Sequence, residues 1–426
     1  MSRGVPFTLF LMMIVLGVAV DGADCPRFRG PAGDGTFPET GLLKKWPDSG
    51  PKLAWSVSGL GKGYSSAAVV DGTIYVTGMD DQQQGHLFAF GLDGSPKWKT
   101  AYGPELGQRG PAKPGTRGTA TIDTDTTLRS GASLRSTSRI FLMTGFGKLV
   151  MIEPAKGQVL RTIDLLERFG AAQAKFGFAE CVLVDGQKVI CTPGGPDASL
   201  AALDKNTGET IWQTKGLSQP SACCAARLIR HGGRRLVVTM VEQGVVGVDP
   251  DTGKVLWQRE HLHGAGVQPN PPLYEDGMLY ICSGMGAGGA MLALADDGLS
   301  VTPKWTDKTL DCQMHGVVLI DGYIYGTAQS ANKGLVCLEL KTGKVMWNTP
   351  VIIRGVVISA DGMLYVYAED GTMHLVEPSA EAFEPVSHFA VSQGTEEHWA
   401  HPTISNGRLY VRHGDALMAY DIKAGS

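Results

Sequence analysis

Gly244-Val-Val-Gly-Val-Asp249-Pro-Asp-Thr252-Gly253-Lys-Val-Leu-Trp257 is the stretch of sequence that decides the fold. Apolar residues run up to Asp249, Thr252-Gly253 supplies the positive φ of a tight hairpin, and a second apolar run ends on an indole. The pattern predicts a strand, a turn and a second strand. It recurs at Leu200–Trp212, at Leu335–Trp347 and, more loosely, at Leu87–Trp98. A repeat built only of strands and turns predicts a closed array of small sheets.

Each repeat also contains an earlier hairpin, marked by Asp-Gly or a close substitute between apolar residues. The copies are Asp71-Gly72, Asp185-Gly186, Gly232-Gly233, Asp276-Gly277, Asp321-Gly322, Asp361-Gly362 and Asn406-Gly407. The indoles follow at regular intervals, at Trp55, Trp98, Trp212, Trp257, Trp305 and Trp347. One long interval holds a further unit whose corresponding residue lies near Arg161, and after Trp347 the same position falls near Phe389. Counting the units predicts eight blades, with seven as the alternative.

The two ends of the chain are predicted to share one blade. The last unit, residues 399–422, has no terminal indole, whereas Lys52–Val57 is a strand with no partner before it. Joining them closes the ring and leaves no open sheet edge. The predicted fold is therefore all-β: an eight-bladed propeller of four-stranded antiparallel blades over residues 51–424, with the indoles packed between neighbouring sheets.

Charge and the amino terminus predict the compartment. Lys plus Arg number 38 against 42 Asp plus Glu, and no basic stretch stands out, so nucleic acid is not an expected partner. Arg3 precedes an apolar run, residues 7–20, and small residues follow, which is typical of a secretory signal over residues 1–23. An uncleaved anchor is the alternative, although the run is short for a bilayer. Cys25 stands where a lipid-modified cysteine would, but Asp24 fits such processing poorly. We expect a periplasmic or secreted monomer with no membrane span after signal removal.

Residues 24–50 are predicted to form an extended arm on the surface of the propeller. Five prolines and five glycines between residues 25 and 54 disfavour regular structure. Trp46 and Phe28 are the expected anchors of this arm.

The repeat resembles the pyrroloquinoline-quinone (PQQ) type repeat of eight-bladed propellers, through Asp-Gly-x-hydrophobic-Tyr-Val and Thr-Gly-Lys-Val-x-Trp. That superfamily includes quinoprotein alcohol dehydrogenases and the BamB type, a cofactor-free propeller that helps to assemble outer-membrane barrels. The arm and the segment Thr192-Pro-Gly-Gly-Pro resemble exported planctomycete-type members. The resemblance implies the architecture strongly and the chemistry weakly.

Candidate site residues are those that precede the first hairpin of each blade, because the inner strands converge at the mouth of the central channel. They are Tyr64, Glu180, Cys223, Cys224, Asn270, Asp311, His315, Arg354, His398 and His401. A protein or small-molecule ligand is the expected partner at this mouth. Cys223 and Cys224 are read as two small thiols, with a strained disulfide as the alternative.

The resemblance to the dehydrogenases implies a second hypothesis, that of an enzyme with PQQ and calcium. Glu180 and Asn270 would then hold Ca²⁺, Asp311 would act as the base, and Arg354 would bind the cofactor. A solvated rim explains the same four residues without any cofactor. The neighbouring cysteines follow Glu180 here, whereas the family places such a pair before the glutamate, and the chain is shorter than typical dehydrogenases. We therefore favour a binding or assembly scaffold without a bound cofactor over the quinoprotein alcohol dehydrogenase.

Overall fold

The computed structural model describes residues 23–108, 112–123, 138–329 and 333–425. Within these ranges the chain forms eight sheets of a β-propeller and one short helix, α1 (Leu165–Phe169). The predicted fold class and the count of eight blades are confirmed. The apolar run of the predicted signal peptide and residues 124–137 of the polar insertion lie outside the described residues.

The strands of the first half, in chain order, are β1 (Thr36–Phe37), β2 (Lys52–Val57), β3 (Ala68–Val70), β4 (Thr73–Met79), β5 (Gln84–Gly91), β6 (Pro96–Pro104), β7 (Thr121–Ile122), β8 (Ile140–Met143), β9 (Lys148–Ile152), β10 (Val159–Asp164), β11 (Leu183–Asp185), β12 (Lys188–Cys191), β13 (Ala201–Asp204), β14 (Thr210–Gln213), β15 (Arg227–His231), β16 (Arg234–Val241), β17 (Gly244–Val248) and β18 (Val255–Glu260).

The strands of the second half are β19 (Leu273–Glu275), β20 (Met278–Ser283), β21 (Gly288–Leu294), β22 (Val301–Asp307), β23 (Val317–Ile320), β24 (Tyr323–Ala328), β25 (Gly334–Glu339), β26 (Val345–Thr349), β27 (Gly355–Ala360), β28 (Met363–Ala368), β29 (Thr372–Glu377), β30 (Glu384–Ala390), β31 (Thr403–Ser405), β32 (Arg408–His413) and β33 (Ala416–Asp421).

Blades 1 to 7 each use four consecutive strands, from β3–β6 to β27–β30, and blade 8 joins both regions of the chain. Its strands β31–β33 are completed by β2, which runs antiparallel to β33 from Lys52 opposite Asp421 to Val57 opposite Leu417. The predicted closure is therefore confirmed. In addition, β1 of the arm pairs in parallel with β27, so blade 7 has a fifth strand.

The first hairpin of most blades has the predicted turn. Both central residues have positive φ, as at Asp321 (49°) and Gly322 (80°), which is the type I′ geometry that matches the strand twist. Blade 3 differs from the prediction. Asp185 stays in β11 opposite Lys188, so the turn falls on Gly186-Gln187. Gly186 has positive φ there, whereas Gln187 does not.

The indoles pack between neighbouring blades, as predicted. Trp212 of blade 3 donates from Nε1 to the Pro250 carbonyl of blade 4 at 2.9 Å, and Trp257 reaches the Gly298 carbonyl of blade 5 at 3.2 Å. Trp55, Trp98, Trp305 and Trp347 each bond the following blade in the same way. A Cβ on Gly253 would lie 2.5 Å from the Trp212 ring, so the turn needs glycine for contact as well as for its φ of 74°.

Blades 2 and 7 lack this indole, and each has a different side chain at the corresponding position. In blade 2 the position is taken by Arg161, whose Cδ lies 3.0 Å from where a Gly208 Cβ would be. In blade 7 the strand register assigns the position to Ser387, two residues before the expected Phe389, because the bulge of β30 falls between Pro385 and Ser387. A tryptophan from outside the blade compensates for this serine.

Trp46 of the arm supplies the missing ring of blade 7. Its backbone N–H donates to Ser387 Oγ at 3.0 Å, and its ring lies 5.9 Å and 48° from Tyr365. Trp55 and Tyr410 of blade 8 show the same geometry, 6.1 Å and 48°. The arm is therefore part of the packed structure, and Trp46 anchors it as predicted.

Candidate functional site

The arm occupies the central channel at the end where the inner strands reach their first hairpins. Cys25 forms two backbone hydrogen bonds with Val69 of blade 1, of 2.7 and 2.8 Å. Leu42 N–H donates to the Asp361 carboxylate of the blade 7 turn at 2.9 Å. Asn406 and Gly407 of the blade 8 turn donate to Glu39. These contacts place residues 23–42 across three of the eight hairpin ends.

Two arginines of the arm extend into the channel and donate hydrogen bonds to backbone carbonyls of the blades. Arg27 donates to the Ala226 carbonyl of blade 4 at 2.7 Å. Arg29 donates to the carbonyls of Val317 in blade 6 and Val357 in blade 7, at 2.6 and 3.2 Å. Burial lowers the pKa of Arg27 and that of Arg29 to about 10. These guanidinium groups therefore bridge inner strands at this end of the channel, and we call the opposite end the mouth face.

The centre of the mouth face is a cluster around Glu369. This carboxylate accepts hydrogen bonds from His315 Nε2 and Trp399 Nε1, both at 3.0 Å, and forms an ion pair with Arg354. Burial acts against the charge of Glu369, but the bonds to His315 and the charge of Arg354 hold its pKa below the usual range. Burial likewise opposes protonation of His315, but Cys312 and Glu369 raise its pKa to about 9. The imidazole is therefore a cation at neutral pH.

A second cluster extends the first around the rim. Tyr64 OH donates to Glu397 at 2.9 Å, and Lys113 pairs with the same carboxylate at 2.5 Å. Burial and the bond to Glu397 raise the pKa of Tyr64. The Tyr64 ring lies 5.3 Å from the ring of Trp399, which connects the two clusters. Together they form an arc of alternating charges and aromatic rings at the mouth face.

The remaining predicted histidines have separate structural partners. His401 is buried, accepts from Arg29 Nη1 at 3.2 Å and donates to the Met314 carbonyl at 2.9 Å. Phe28 lies 4.7 Å from its ring, as expected for the second anchor of the arm. His398 bonds the Tyr367 hydroxyl at 2.5 Å and stacks on the His413 ring at 3.7 Å. The structure therefore does not bring His398 and His401 to one ligand.

The residues predicted for the metal and the base are fully buried. Glu180 accepts from the N–H of Thr192 at 2.9 Å and from its hydroxyl, and burial raises the pKa of Glu180 to about 7. Asn270 donates to the Cys312 carbonyl at 2.6 Å and accepts from Gly316 N–H at 3.1 Å. Asp311 accepts from Gly286 N–H.

These side chains do not fit the calcium and quinone group. Ca²⁺ requires six to eight oxygen ligands, yet the amide oxygen of Asn270 is already used by backbone and Arg354 is paired with Glu369. In the described ranges, no group of three or more His, Cys, Asp or Glu side chains is placed where it could hold a metal ion. We derive no catalytic step through this group.

Cys223 and Cys224 are both free thiols. Cys223, with a φ of 65°, directs its Sγ to the Gly177 carbonyl at 3.4 Å, whereas Cys224 Sγ lies 3.6 Å from the Asn270 carbonyl. Burial raises the pKa of Cys223 to about 11 and that of Cys224 to about 12, so neither is a reactive thiolate at neutral pH.

Several side chains that organise the mouth are not among those predicted from the sequence. Glu369 lies in the turn between β28 and β29, and Trp399, Glu397 and Lys113 lie in connections between blades. The sequence pattern marks residues that precede an inner strand, and it does not single out these four. The turn between the second and third strands of a blade lies at the same end as the connection to the next blade. The alternating direction of the strands therefore indicates that Glu369 lies on the mouth face.

Exposed apolar side chains are also concentrated on the mouth face, in blades 5 to 7. Val351 and Ile353, in the connection into blade 7, are 65% and 48% exposed. Leu262, in the connection into blade 5, is 61% exposed, and Met285, in the turn between β20 and β21, is 53% exposed. We call Leu262, Met285, Val351 and Ile353 the patch, since all four lie at the end of the propeller that carries the Glu369 cluster, and Ile353 directly precedes Arg354 in the chain.

No helix of the described residues has the length and apolar character needed to cross a bilayer.

Solved structures of known proteins share this fold. BamB from Moraxella catarrhalis superposes with a TM-score of 0.61 at 15% identity, over 87% of this chain and all of that one. Quinohemoprotein alcohol dehydrogenase from Comamonas testosteroni superposes with a TM-score of 0.63 at 14% identity, over 95% of this chain and 81% of that one. At these identities the likeness shows the fold alone.

Sequence comparison is more selective than the fold. The outer membrane protein assembly factor BamB of Burkholderia pseudomallei (strain K96243) is 29% identical over 164 residues, which is 37% of this chain. The match spans 39% of the length of that curated relative. A family model described as outer membrane protein assembly factor BamB matches residues 115–349, more than half of the 426 residues. The chain therefore belongs to this BamB family of PQQ-type repeat propellers.

Proposed function

We propose that the chain is an exported binding scaffold that holds a protein partner on its mouth face, without a bound cofactor, and serves envelope assembly as its named relatives do. In this proposal residues 1–23 form the signal peptide, residues 24–50 the arm and residues 51–424 the propeller of a periplasmic or secreted monomer. The patch of Leu262, Met285, Val351 and Ile353 is the single observation that carries the proposal.

Three features support a protein partner. Exposed large apolar side chains grouped beside charged ones are typical of interaction surfaces. The arc of Arg354, Glu369, Tyr64 and Glu397 next to the patch offers polar groups for a rim. The arm bridges inner strands at the other end of the channel, which supports the mouth face as the end that meets a partner.

Site-specific photo-crosslinking tests the scaffold. A photoreactive residue at Val351 or Ile353 should give an adduct with a defined envelope protein, whereas the same residue at Leu299 or Ile211 should not. Leu299 and Ile211 are matched controls, since they are 41% and 47% exposed but lie in the opposite turn of blade 5 and on the outer strand of blade 3. Equal adducts from both groups, or none from the first, would refute the mouth face as the docking surface.

A charge at the patch should also weaken the interaction. Val351→Glu should reduce affinity for the crosslinked partner about tenfold or more, since an unpaired buried charge costs more than about 1.4 kcal/mol. The amount of folded outer-membrane barrel protein in the cell should fall with it. Unchanged barrel levels with normal amounts of the variant would argue against a role in assembly.

The alternative, a PQQ- and calcium-dependent alcohol dehydrogenase, has a direct test of its own. Purified protein incubated with PQQ and Ca²⁺ should retain no stoichiometric quinone and should not oxidise alcohols in a dye-linked assay. If the protein retained PQQ and oxidised alcohols, and if Asp311→Asn abolished this oxidation, the dehydrogenase would become the preferred function.

A further inference from the structure

The first described residue of the arm lies against a buried carboxylate. Ala23 N–H donates to Glu39 Oε1 at 2.8 Å, and the Ala23 carbonyl accepts from Ser405 Oγ at 2.8 Å. Glu39 is 7% exposed. Sixteen residues of chain therefore loop back so that the start of the arm meets its own glutamate at the hairpin end of blade 8.

The partners of Glu39 are all neutral. Besides Ala23, the N–H groups of Asn406 and Gly407 donate to it, at 2.8 and 3.1 Å. Within residues 23–108, 112–123, 138–329 and 333–425, no lysine or arginine forms an ion pair with this carboxylate. A carboxylate withdrawn from water is stabilised much better by a charged donor than by amides alone. A cation at Ala23 would therefore strengthen the pairing with Glu39 beyond what the three amide donors provide.

We propose that signal removal cuts the Gly22–Ala23 bond and that the new α-ammonium of Ala23 forms an ion pair with Glu39. Water supplies the hydroxyl of the Gly22 carboxyl group and a proton to the released amine, which takes one further proton from solvent at neutral pH. The cut lies one residue before the boundary expected from the sequence. This inference rests on the export included in the proposed function.

The sequence around the cut agrees with this position. Cleavage after Gly22 leaves a small residue at the cut and the uncharged Val20 two positions before it, which is the pattern that signal processing requires. Cleavage after Ala23 would put the charged Asp21 at that second position, and would remove the residue that touches Glu39 and Ser405.

Processing at Cys25 with attachment of a lipid is incompatible with the fold. Cys25 is 1% exposed, and its N–H and carbonyl both bond Val69. Its thiol lies 3.4 Å from the Arg27 carbonyl, and burial raises its pKa to about 12. An acylated Cys25 would have to leave this bridge and withdraw the arm from the channel. The docked arm and a lipid on Cys25 therefore exclude each other, and we expect a mature chain without this lipid.

Intact mass and amino-terminal sequencing of the protein purified from the envelope test the cut. The mature chain should begin at Ala23 and carry no lipid. A chain that begins at Asp24 or at a lipidated Cys25 would overturn the proposal. A purified chain that still carries residues 1–22 would also overturn the proposed export. A chain that begins at Ala23 but gives no photo-crosslinked adducts on the mouth face would refute only the scaffold function.

The reactivity of the α-amine tests the ion pair. At pH 7 the Ala23 amine of the mature protein should be acylated about tenfold more slowly than in Glu39→Gln, since a one-unit rise in pKa leaves tenfold less free amine. Glutamine keeps an acceptor oxygen for the Asn406 turn, and Glu384→Gln, on an exposed outer strand, is the matched control. Equal acylation rates in all three proteins would overturn the ion pair.

Discussion

At the scale of single residues, the mouth face shows how burial and pairing oppose each other. His315 is buried, and desolvation alone would keep its imidazole neutral. Cys312 and the carboxylate of Glu369, 3.0 Å away, reverse this and raise the pKa of His315 to about 9. Arg354 and Trp399 share the same carboxylate. One glutamate therefore orders side chains from blades 6, 7 and 8.

We predict that this cluster makes stability depend on pH. Because the pKa of His315 is raised from 6.5 to about 9 on folding, its contribution is complete below pH 6.5 and is lost as the pH rises through 9. The loss can reach about 3 kcal/mol. Urea midpoints between pH 6 and 10 should fall for the wild type and stay flatter for His315→Gln. Parallel curves for the two proteins would show that the imidazole is not the titrating group.

At the scale of elements, the arm behaves as a component of the blades. It adds β1 to blade 7, crosses the channel through Arg27 and Arg29, and inserts Trp46 beside Ser387. In six other blades the indole comes from the outer strand of the blade itself. In blade 7 the ring is that of Trp46 in the arm, more than 300 residues away in sequence.

Trp46→Ala is expected to cost as much as the loss of a resident indole. Removing a buried tryptophan leaves a cavity worth about 3 to 5 kcal/mol, and Trp257→Ala is the matched comparison, since Trp257 is also buried between blades. Thermal or urea unfolding of both variants measures the cost. A Trp46→Ala melt within error of the wild type would mean that the arm only lies on the surface.

At the scale of the whole molecule, one sheet holds the ring together. Blade 8 combines β2 from the beginning of the chain with β31–β33 from its end, and six residues of β2 cover the edge of β33. In every other blade the four main strands are consecutive in the chain, and only blade 7 gains a distant fifth strand, β1. Closure of the ring therefore depends on the β2–β33 ladder, which also hides an edge that could otherwise pair with another molecule.

Proline substitutions at equivalent positions should separate closure from local damage. Ser56 in β2 and Gln258 in β18 each follow the indole of their blade and face Met418 and Val246. Each proline should cost about 3 kcal/mol locally, but only Ser56→Pro should also expose the β33 edge and produce oligomers. Size-exclusion chromatography after mild heating is the measurement. Identical elution of the two variants would contradict a special role for the closing ladder.

The fold could be predicted because its determinants are local and repeated. Turn glycines and indoles at regular spacing fix blade number, hairpin type and closure, and even the Arg161 substitution follows from the interval. Trp46 could not be predicted, since nothing periodic in residues 24–50 indicates which blade receives it. The position predicted near Phe389 falls at Ser387, because a bulge and not spacing alone sets the register.

The candidate site was less predictable, because its residues are related only in space. Tyr64, His315 and Arg354 were identified from their place before an inner strand. Their shared partners, Glu369 and Glu397, come from loops that no repeat pattern marks. Which groups ionise also depends on burial, and burial becomes known only from the packed ring.

The route of the arm imposes an order on biogenesis. Its docking positions include β27, Ser387 and the Asn406-Gly407 turn, all within the last 72 residues of the chain. If the chain is exported as proposed, it crosses the membrane from its amino end and delivers the arm first and these docking positions last. The arm therefore remains undocked from these positions until translocation is complete. A chaperone could bind it, or a protease could cleave it, only during that interval.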